Sequence, residues 1–541
     1  MAGLISCCAT TSMRTVLTVA AMTLIAIAAT GTQTSTRPAA PQTEATPAPP
    51  DRTTLLREVG IAHGMLRGLQ YNDATTTAQY QATGTQYIVG QAFRPGAPWL
   101  AAKLTKYNVW VNYAVPGIRI DLERTNPDGT VQGGGELPFA APQRQILVVG
   151  GSRAWNETMM PGGPATPAIG QEKDRAVQIW MLPQGAVKAA RMAGDKLAVG
   201  MEGGKITLTF PLPAPSSNYT EKVRLDARKL VEHVEVMVDN PVLGDTKLEA
   251  DYDTYKDPDL SDIPFPFHIV QKLGGFPILD VIVINAHMYN PYVVVPIPDN
   301  VEQAYSAPTA DLQSKIDIQN AGTGVYFITG ASHNSVAVAF KNYVAVVESP
   351  VGDNRAVPVF DAIRKQFPNK KIRYVINTHH HFDHAGGLRD AIAEGATILT
   401  YRDNKPYYDR VLSNRHTVNP DRLEKIAASR KPSVEAVLDK RVLTDGSQTL
   451  ELYKIQGSNH ADTMLIAYLP KERLLVEADM WNPPAQPNAP APTGVAAAEP
   501  LNLWDNIQRL RLDVAQIAPL HGRPAPFAEF QRAVGLSSTT H

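Results

Sequence analysis

The chain has 541 residues, with 51 Lys and Arg against 52 Asp and Glu and a formal net charge of −1 at neutral pH. That length exceeds what one hydrophobic core holds and implies more than one domain. A charge balance this close to zero, with no block of like charge, excludes the electrostatic footprint of a nucleic-acid partner and a polybasic membrane-surface role.

Residues 1–30 read as a signal peptide: Arg14 precedes a mainly apolar run at 16–29, short for a membrane span, and Ala26, Ile27 and Ala28 offer small residues for a signal peptidase. The competing reading is an uncleaved anchor. Cleavage is preferred, so no stable transmembrane anchor is expected and the mature protein is expected to be exported, periplasmic or secreted. Cys7 and Cys8 lie upstream of the apolar run and leave with it, so the mature chain has no thiol ligand and no disulfide. Residues 31–50, rich in Thr, Pro and Ala, read as a disordered tether.

From 51 to 299 short segments of alternating polarity recur at 107–113, 117–122, 145–149, 205–210, 231–236, 247–253 and 279–284, separated by Gly, Pro and Asp turns. They predict an antiparallel β domain, with a helix at 182–193. The stretch from Val236 through Pro241, Tyr252-Asp-Thr-Tyr255, Pro264-Phe-Pro266 and Gly274-Gly275 to Asn290 resembles the curved half-barrel of periplasmic lipoprotein-carrier proteins. That resemblance implies an architecture and an apolar-ligand surface, not a transport activity.

Residues 300–322 read as a linker, preceded by Pro296-Ile-Pro-Asp299, and 323–541 as a separate domain. Helical spacing over 355–367 places Val357, Phe360, Ile363 and Phe367 on one face, which should cover a sheet. The β-branched run at 372–377 reads as a buried strand, and Thr378-His379-His380-His381-Phe382-Asp383-His384 follows where it stops. In extended chain alternate side chains point the same way, so His379 and His381 converge on one ion while His380 points elsewhere, and Asp383 and His384 turn toward a second position. Imidazole nitrogen and carboxylate oxygen suit zinc, and also iron or manganese. Three further candidates, His460, Asp479 and His521, each follow an apolar run and so stand at the carboxyl end of a strand, where loops converge in layered α/β proteins.

With that ordered series, residues from about 323 to the C-terminus resemble the metallo-β-lactamase fold metallohydrolases. The resemblance implies an αββα sandwich in which His379, His381 and His460 hold one zinc ion, Asp383, His384 and His521 a second, and Asp479 bridges them. Asp479 stands where some antibiotic-degrading members carry cysteine, as in lactonases, glyoxalase II-type thioesterases and phosphodiesterases. Glu348 ends the strand where the family more often has Asp, and a longer carboxylate there still supports the ligand loop. His381 argues against the diiron redox branch.

The implied function is an exported dinuclear hydrolase whose metal-bound hydroxide attacks a small ester, lactone, thioester or amide, with Asp383 orienting the water or relaying its proton. The alternatives are a β-lactam hydrolase and a hydrophobic-ligand binding protein with a non-catalytic metal domain. The chain has no G-x-S-x-G elbow, no phosphate loop and no G-x-G-x-x-G fingerprint. His63, His233, His268, His287, His416 and His541 read as ordinary surface or satisfied core residues, His333 as a hydrogen-bonding neighbour of the site, and His380 as a supporting or exposed residue. Tyr401, Tyr407 and Tyr408 either line a pocket or, by preference, pack a helix. The Pro- and Ala-rich stretch 483–500 is a lid or a surface insertion.

Overall fold

The alternating segments of the first half become one antiparallel sheet, thirteen strands wide among the described residues. The computed structural model describes residues 51–536 apart from 71, 130, 136, 159–163, 307–313, 427–429 and 487–489. The signal peptide and tether read at 1–30 and 31–50, and His541, lie outside the described residues.

Six of the seven segments predicted as strands in the first half fall within observed strands, for example 279–284 inside Phe276–Met288, and the seventh, 107–113, overruns Leu100–Asn112 by one residue. Along Leu100–Asn112 the side chains of Tyr107, Val109 and Val111 are buried while those between them are half-buried, the period of two that places one face on a core. Two meanders, one on each side, join where Thr77–Ile88 pairs with Phe276–Met288. Register shifts at Ala82/Gly84, Leu104/Lys106 and Val283/Asn285 fall on three neighbouring strands. Such bulges bend a sheet, and Gly84 is required at one of them because a Cβ there would lie 2.1 Å from the Asp280 carbonyl oxygen. The two ends of the sheet, Thr166–Pro167 and Ala198–Glu202, do not pair, so it stays open.

The predicted helix at 182–193 is Pro183–Met192, with Pro183 at its first turn, where a missing N–H costs nothing. A helix not foreseen, Glu172–Met181, precedes it. Trp180, Ala186 and Val187 share one core with Val109, Val111, Val234 and Val281 of the sheet. A third helix, Arg52–Ala62, closes this core and is capped by Asp51, whose side chain accepts from the Thr54 N–H. Among the described residues no helix is long and apolar enough to cross a membrane.

His63, just past that helix, is fully buried. Its Nδ1 lies 2.8 Å from the Val59 carbonyl oxygen and its Nε2 accepts from the Val231 N–H at 3.2 Å, which defines a neutral ring protonated on Nδ1. Burial therefore pushes its pKa down to about 4 from 6.5. Because the unfolded chain takes the proton first, this contribution to stability is complete above pH 6.5 and is lost as pH falls toward 4. The loss amounts to about 3 kcal/mol at most. Urea unfolding at several pH values should show this slope in the wild type and a shallower one in His63→Gln; equal slopes would refute the assignment.

The stretch read as a linker is structured at both ends. Asp299–Ser306 is a helix packed on the first sheet through Val301, and Asp317–Gly322 is an edge strand paired with Val325–Thr329, so the catalytic sheet starts earlier than expected. That second sheet has seven strands among the described residues, antiparallel up to Tyr343–Val347 and parallel from there through Lys371–Ile376, Thr397–Tyr401 and Val434–Val437. A further sheet, with six strands among the described residues, runs from Lys440–Thr444 to Ala525–Pro526 and is the third of the large sheets. Phe327, Val336 and Val347 of the second sheet meet Leu452, Leu465 and Val476 of the third in one core. Helices cover the outer faces, Phe360, Ile363 and Leu388 on one side and Leu503, Ile507 and Phe530 on the other. The result is an αββα sandwich. The helix Asp353–Gln366 buries Ala356, Val359, Phe360 and Ile363, so its inward face is rotated from the predicted one and Val357 is only half-buried.

Candidate metal centre

The strand Lys371–Ile376 gives way to residues 377–381, the last of them extended with φ of −61° and ψ of 148°, before the one-turn helix Phe382–Ala385. Extended geometry sends His379 and His381 to the same side, with His379 Nε2 3.0 Å from His381 Nδ1. His380 points away, its Nδ1 3.0 Å from Thr463 Oγ1 and its Nε2 2.9 Å from the Ala92 carbonyl oxygen. It is buried and bonded, not exposed. His460, in the loop after Thr449–Lys454, brings Nε2 to 3.3 Å from His379 Nε2.

Asp479 and His521 follow neighbouring parallel strands, Leu474–Glu477 and Gln516–Pro519, and so emerge side by side. Asp479 sits in a tight turn with φ of 61°, a left-handed backbone that costs a non-glycine residue about 1–3 kcal/mol. Buried Glu477 holds that turn, its Oε2 accepting from the N–H groups of Met480 at 3.0 Å and Trp481 at 3.3 Å. Asn334 holds the His521 loop, its amide donating to the carbonyls of Pro519 at 3.1 Å and Gly522 at 2.8 Å.

All seven side chains named from the sequence converge. Their ligand atoms fall into overlapping groups, His379, His381 and His460 in one, Asp383, His384 and His521 with His333 in another, and His379, His384 and Asp479 between them. Asp479 Oδ2 lies 3.5 Å from both His379 Nε2 and His460 Nε2 and 2.8 Å from His384 Nε2, while Oδ1 lies 3.1 Å from His521 Nε2. His333 is a hydrogen-bonding neighbour of the site, as expected, its Nε2 3.2 Å from Asp383 Oδ2 and its ring edge-on to His521.

Outer partners select the ring tautomers. Glu348 is fully buried and adopts φ of 72°; its carboxylate accepts from the Thr378 hydroxyl and faces His384 Nδ1 at 3.2 Å. A carboxylate only accepts, so His384 carries a proton on Nδ1 and turns its Nε2 toward Asp479 Oδ2. The Thr378 hydroxyl, its own proton given to Glu348, accepts at 3.1 Å from His379 Nδ1 and leaves His379 Nε2 free. Asp479 Oδ2 has no aligned hydrogen-bond donor among the described residues although it is buried. Lone pairs facing one another at these distances repel unless a cation lies among them, so the donor set fits a metal ion.

The electrostatics agree. Burial, reinforced by the neighbouring imidazoles, holds His379 and His381 well below the usual histidine range, so both are neutral and able to ligate. His384 differs: the Asp479 and Asp383 carboxylates outweigh its burial and raise its pKa, so a proton on Nε2 is the alternative to a cation at that position. Burial works against the ionised Asp479, yet His384 and His460 hold its carboxyl well below the usual range. Replacing Glu348 with alanine removes the acceptor beneath His384 and Thr378. Metal affinity, measured against a competing chelator, should fall about 10–100-fold, with Glu348→Asp intermediate; unchanged affinity would show that the carboxylate plays no orienting part.

A cleft of about 970 Å³ adjoins His460 and Asp479, walled by Val131, Leu137 and Phe139 from the N-terminal half and by Trp481, Pro484 and Val495. The described part of 483–500 is thus a wall, tied down where Glu499 accepts from Ser458 Oγ at 2.9 Å and from the Asn459 N–H at 2.8 Å. Tyr401, Tyr407 and Tyr408 do not line this cleft; Tyr408 is buried against a helix and donates to Asn377 Oδ1 at 2.7 Å. Sequence reasoning had no means of finding Gln91, whose Nε2 donates to Asp383 Oδ1 at 2.8 Å from 292 residues away.

Residues 328–519 match the family described as the metallo-beta-lactamase superfamily. No curated protein matches the sequence. Similar solved structures include a metallo-beta-lactamase from Pontibacter korlensis, 16% identical, covering 42% of this chain and 100% of that one with a TM-score of 0.32. DIM-1 metallo-beta-lactamase, 17% identical, and TMB-1, 16% identical, each cover 41% of this chain and 96% of their own with a TM-score of 0.30. With its His and Asp groups at the carboxyl ends of the sandwich strands, the segment 328–519 is a metallo-β-lactamase superfamily domain, the fold of a metal-dependent hydrolase.

Proposed function

We propose that the protein is a dinuclear hydrolase, most simply dizinc, acting on a small-molecule ester, lactone, thioester or amide. The observation that carries this reading is the position of Asp479, with one carboxylate set between the His379, His381, His460 group and the Asp383, His384, His521 group. A pair of cations held there supplies Lewis acidity and brings the ionisation of water toward neutral pH. Asp383, fixed between Gln91 and His333, is placed to orient that water or to accept its proton. His460, Asp479 and Trp481 border the cleft, and its volume of about 970 Å³ suits a drug-sized substrate.

Metal analysis should return about two transition-metal ions per chain. A lactone, thioester and β-lactam panel on metal-loaded protein should show turnover on one class; full loading with no turnover on any of them would favour a binding role. The reading extends to export through the leader at 1–30, so the mature protein recovered from cells should begin beyond residue 30 when its N-terminus is sequenced.

A further inference from the structure

We infer that the N-terminal domain is a working part of the metal centre: its strap at residues 89–99 sets the tautomer of His381 through the Ala92 carbonyl and the orientation of Asp383 through Gln91. This rests on the reading of His381 and Asp383 as metal ligands. The strap joins the strands Thr77–Ile88 and Leu100–Asn112 of the large sheet and leaves that sheet to lie along the catalytic domain.

The contacts reach ligand groups, not only domain surfaces. The Ala92 oxygen lies 2.9 Å from His381 Nε2 and 2.9 Å from His380 Nε2. A carbonyl accepts on two lone pairs and never donates, so both rings are protonated on Nε2. His381 is thereby left with an unprotonated Nδ1, the atom that faces His379 Nε2 at 3.0 Å. A second acceptor near Nδ1 in place of Ala92 would select the opposite tautomer and turn an N–H toward the centre. Gln91 acts on the other group, its N–H donating to Asp383 Oδ1 at 2.8 Å while His333 faces Oδ2 at 3.2 Å, so the carboxylate cannot rotate freely.

The strap is laced into the catalytic domain on both sides of His460. Phe93 O accepts from the Asp462 N–H at 2.9 Å, and Gly133, bridged to Ala92, donates its N–H to Asn459 O at 2.7 Å. Glycines permit the approach. Gly90 has φ of 74° and lies against Phe382, whose ring also meets Trp99 edge-on at 6.0 Å. A Cβ on Gly134 would lie 2.6 Å from His381 Cε1, 2.8 Å from His381 Nδ1 and 2.1 Å from Gln91 Oε1. Outer partners of metal ligands commonly control affinity by about 10–100-fold. In this chain that function comes from a different domain.

The test uses the full-length protein stripped of metal and titrated with cobalt(II), whose visible spectrum reports ligand geometry, against a competing chelator. Gln91→Glu keeps the shape and loses the donor, and Gly134→Ala presses on the His381 ring. Each should weaken cobalt binding about 10–100-fold and alter the visible bands, with the urea midpoint of the metal-free protein unchanged in Gln91→Glu. Wild-type affinity and spectra in Gln91→Glu would overturn the inference, including where Gly134→Ala does not fold. A wild-type chain that takes up no cobalt would instead remove the metal-centre reading and the inference with it.

Discussion

Asp479→Ala should abolish turnover and strip the centre of metal, with affinity falling by more than about 100-fold, the upper end of what an outer partner alone costs. One carboxylate reaches four imidazoles, His379, His384 and His460 through Oδ2 and His521 through Oδ1, at 2.8 to 3.5 Å. Removing it deletes a shared negative charge from both groups at once, whereas His460→Ala touches only the His379, His381 group. The expected results therefore differ in kind. Metal analysis after dialysis should find Asp479→Ala depleted of both ions and His460→Ala retaining about one. Asp479→Cys, which keeps an anionic ligand, should recover part of the loading. Two ions retained by Asp479→Ala would contradict the bridging position.

Much of this centre was legible because its local rules are short-ranged. The alternation that separates His380 from His379 and His381 is a property of extended chain, and the three later ligands announce themselves by following apolar strands. Glu348 was recognisable as an acidic residue at a strand end, although nothing local reveals its left-handed backbone. What remained hidden depends on distant pairing. Gln91, Ala92 and Gly134 carry no ligand chemistry of their own, and their importance arises only when the strap of the first sheet lies against the second domain. The large sheet was readable strand by strand from alternating polarity, while Thr77–Ile88 was missed because Thr77, Gln79, Gln81 and Thr83 mix with glycine and give a weak pattern. The edge strand Asp317–Gly322 reads as linker because it is largely exposed and polar, so its hydrophobic pattern is absent.

Arg355 shows the same limit on a buried charge. Position 355 looks like the solvated start of a helix, yet its side chain is fully buried, with Nε donating to the His333 carbonyl at 3.0 Å, Nη1 to that of Lys315 at 2.6 Å and Nη2 to that of Ile328 at 3.5 Å. Burial pushes the guanidinium down to about 10, still charged at neutral pH, and its planar fork satisfies carbonyls arriving from three directions. Those carbonyls belong to the segment before the catalytic sheet, to its strand Val325–Thr329, and to the turn that presents His333 to Asp383. Arg355→Ala leaves them buried without these donors and opens a cavity, so stability should drop by about 3 kcal/mol or more. Arg355→Lys, with one point of donation in place of a fork, should recover less than half of that loss. The same loosening should lower cobalt affinity at the Asp383, His384, His521 group more than at the His379, His381, His460 group, since only the first includes His333. Urea midpoints and cobalt titrations on the two variants check both parts. A stable Arg355→Ala protein with wild-type metal binding would mean that water replaces the fork without cost.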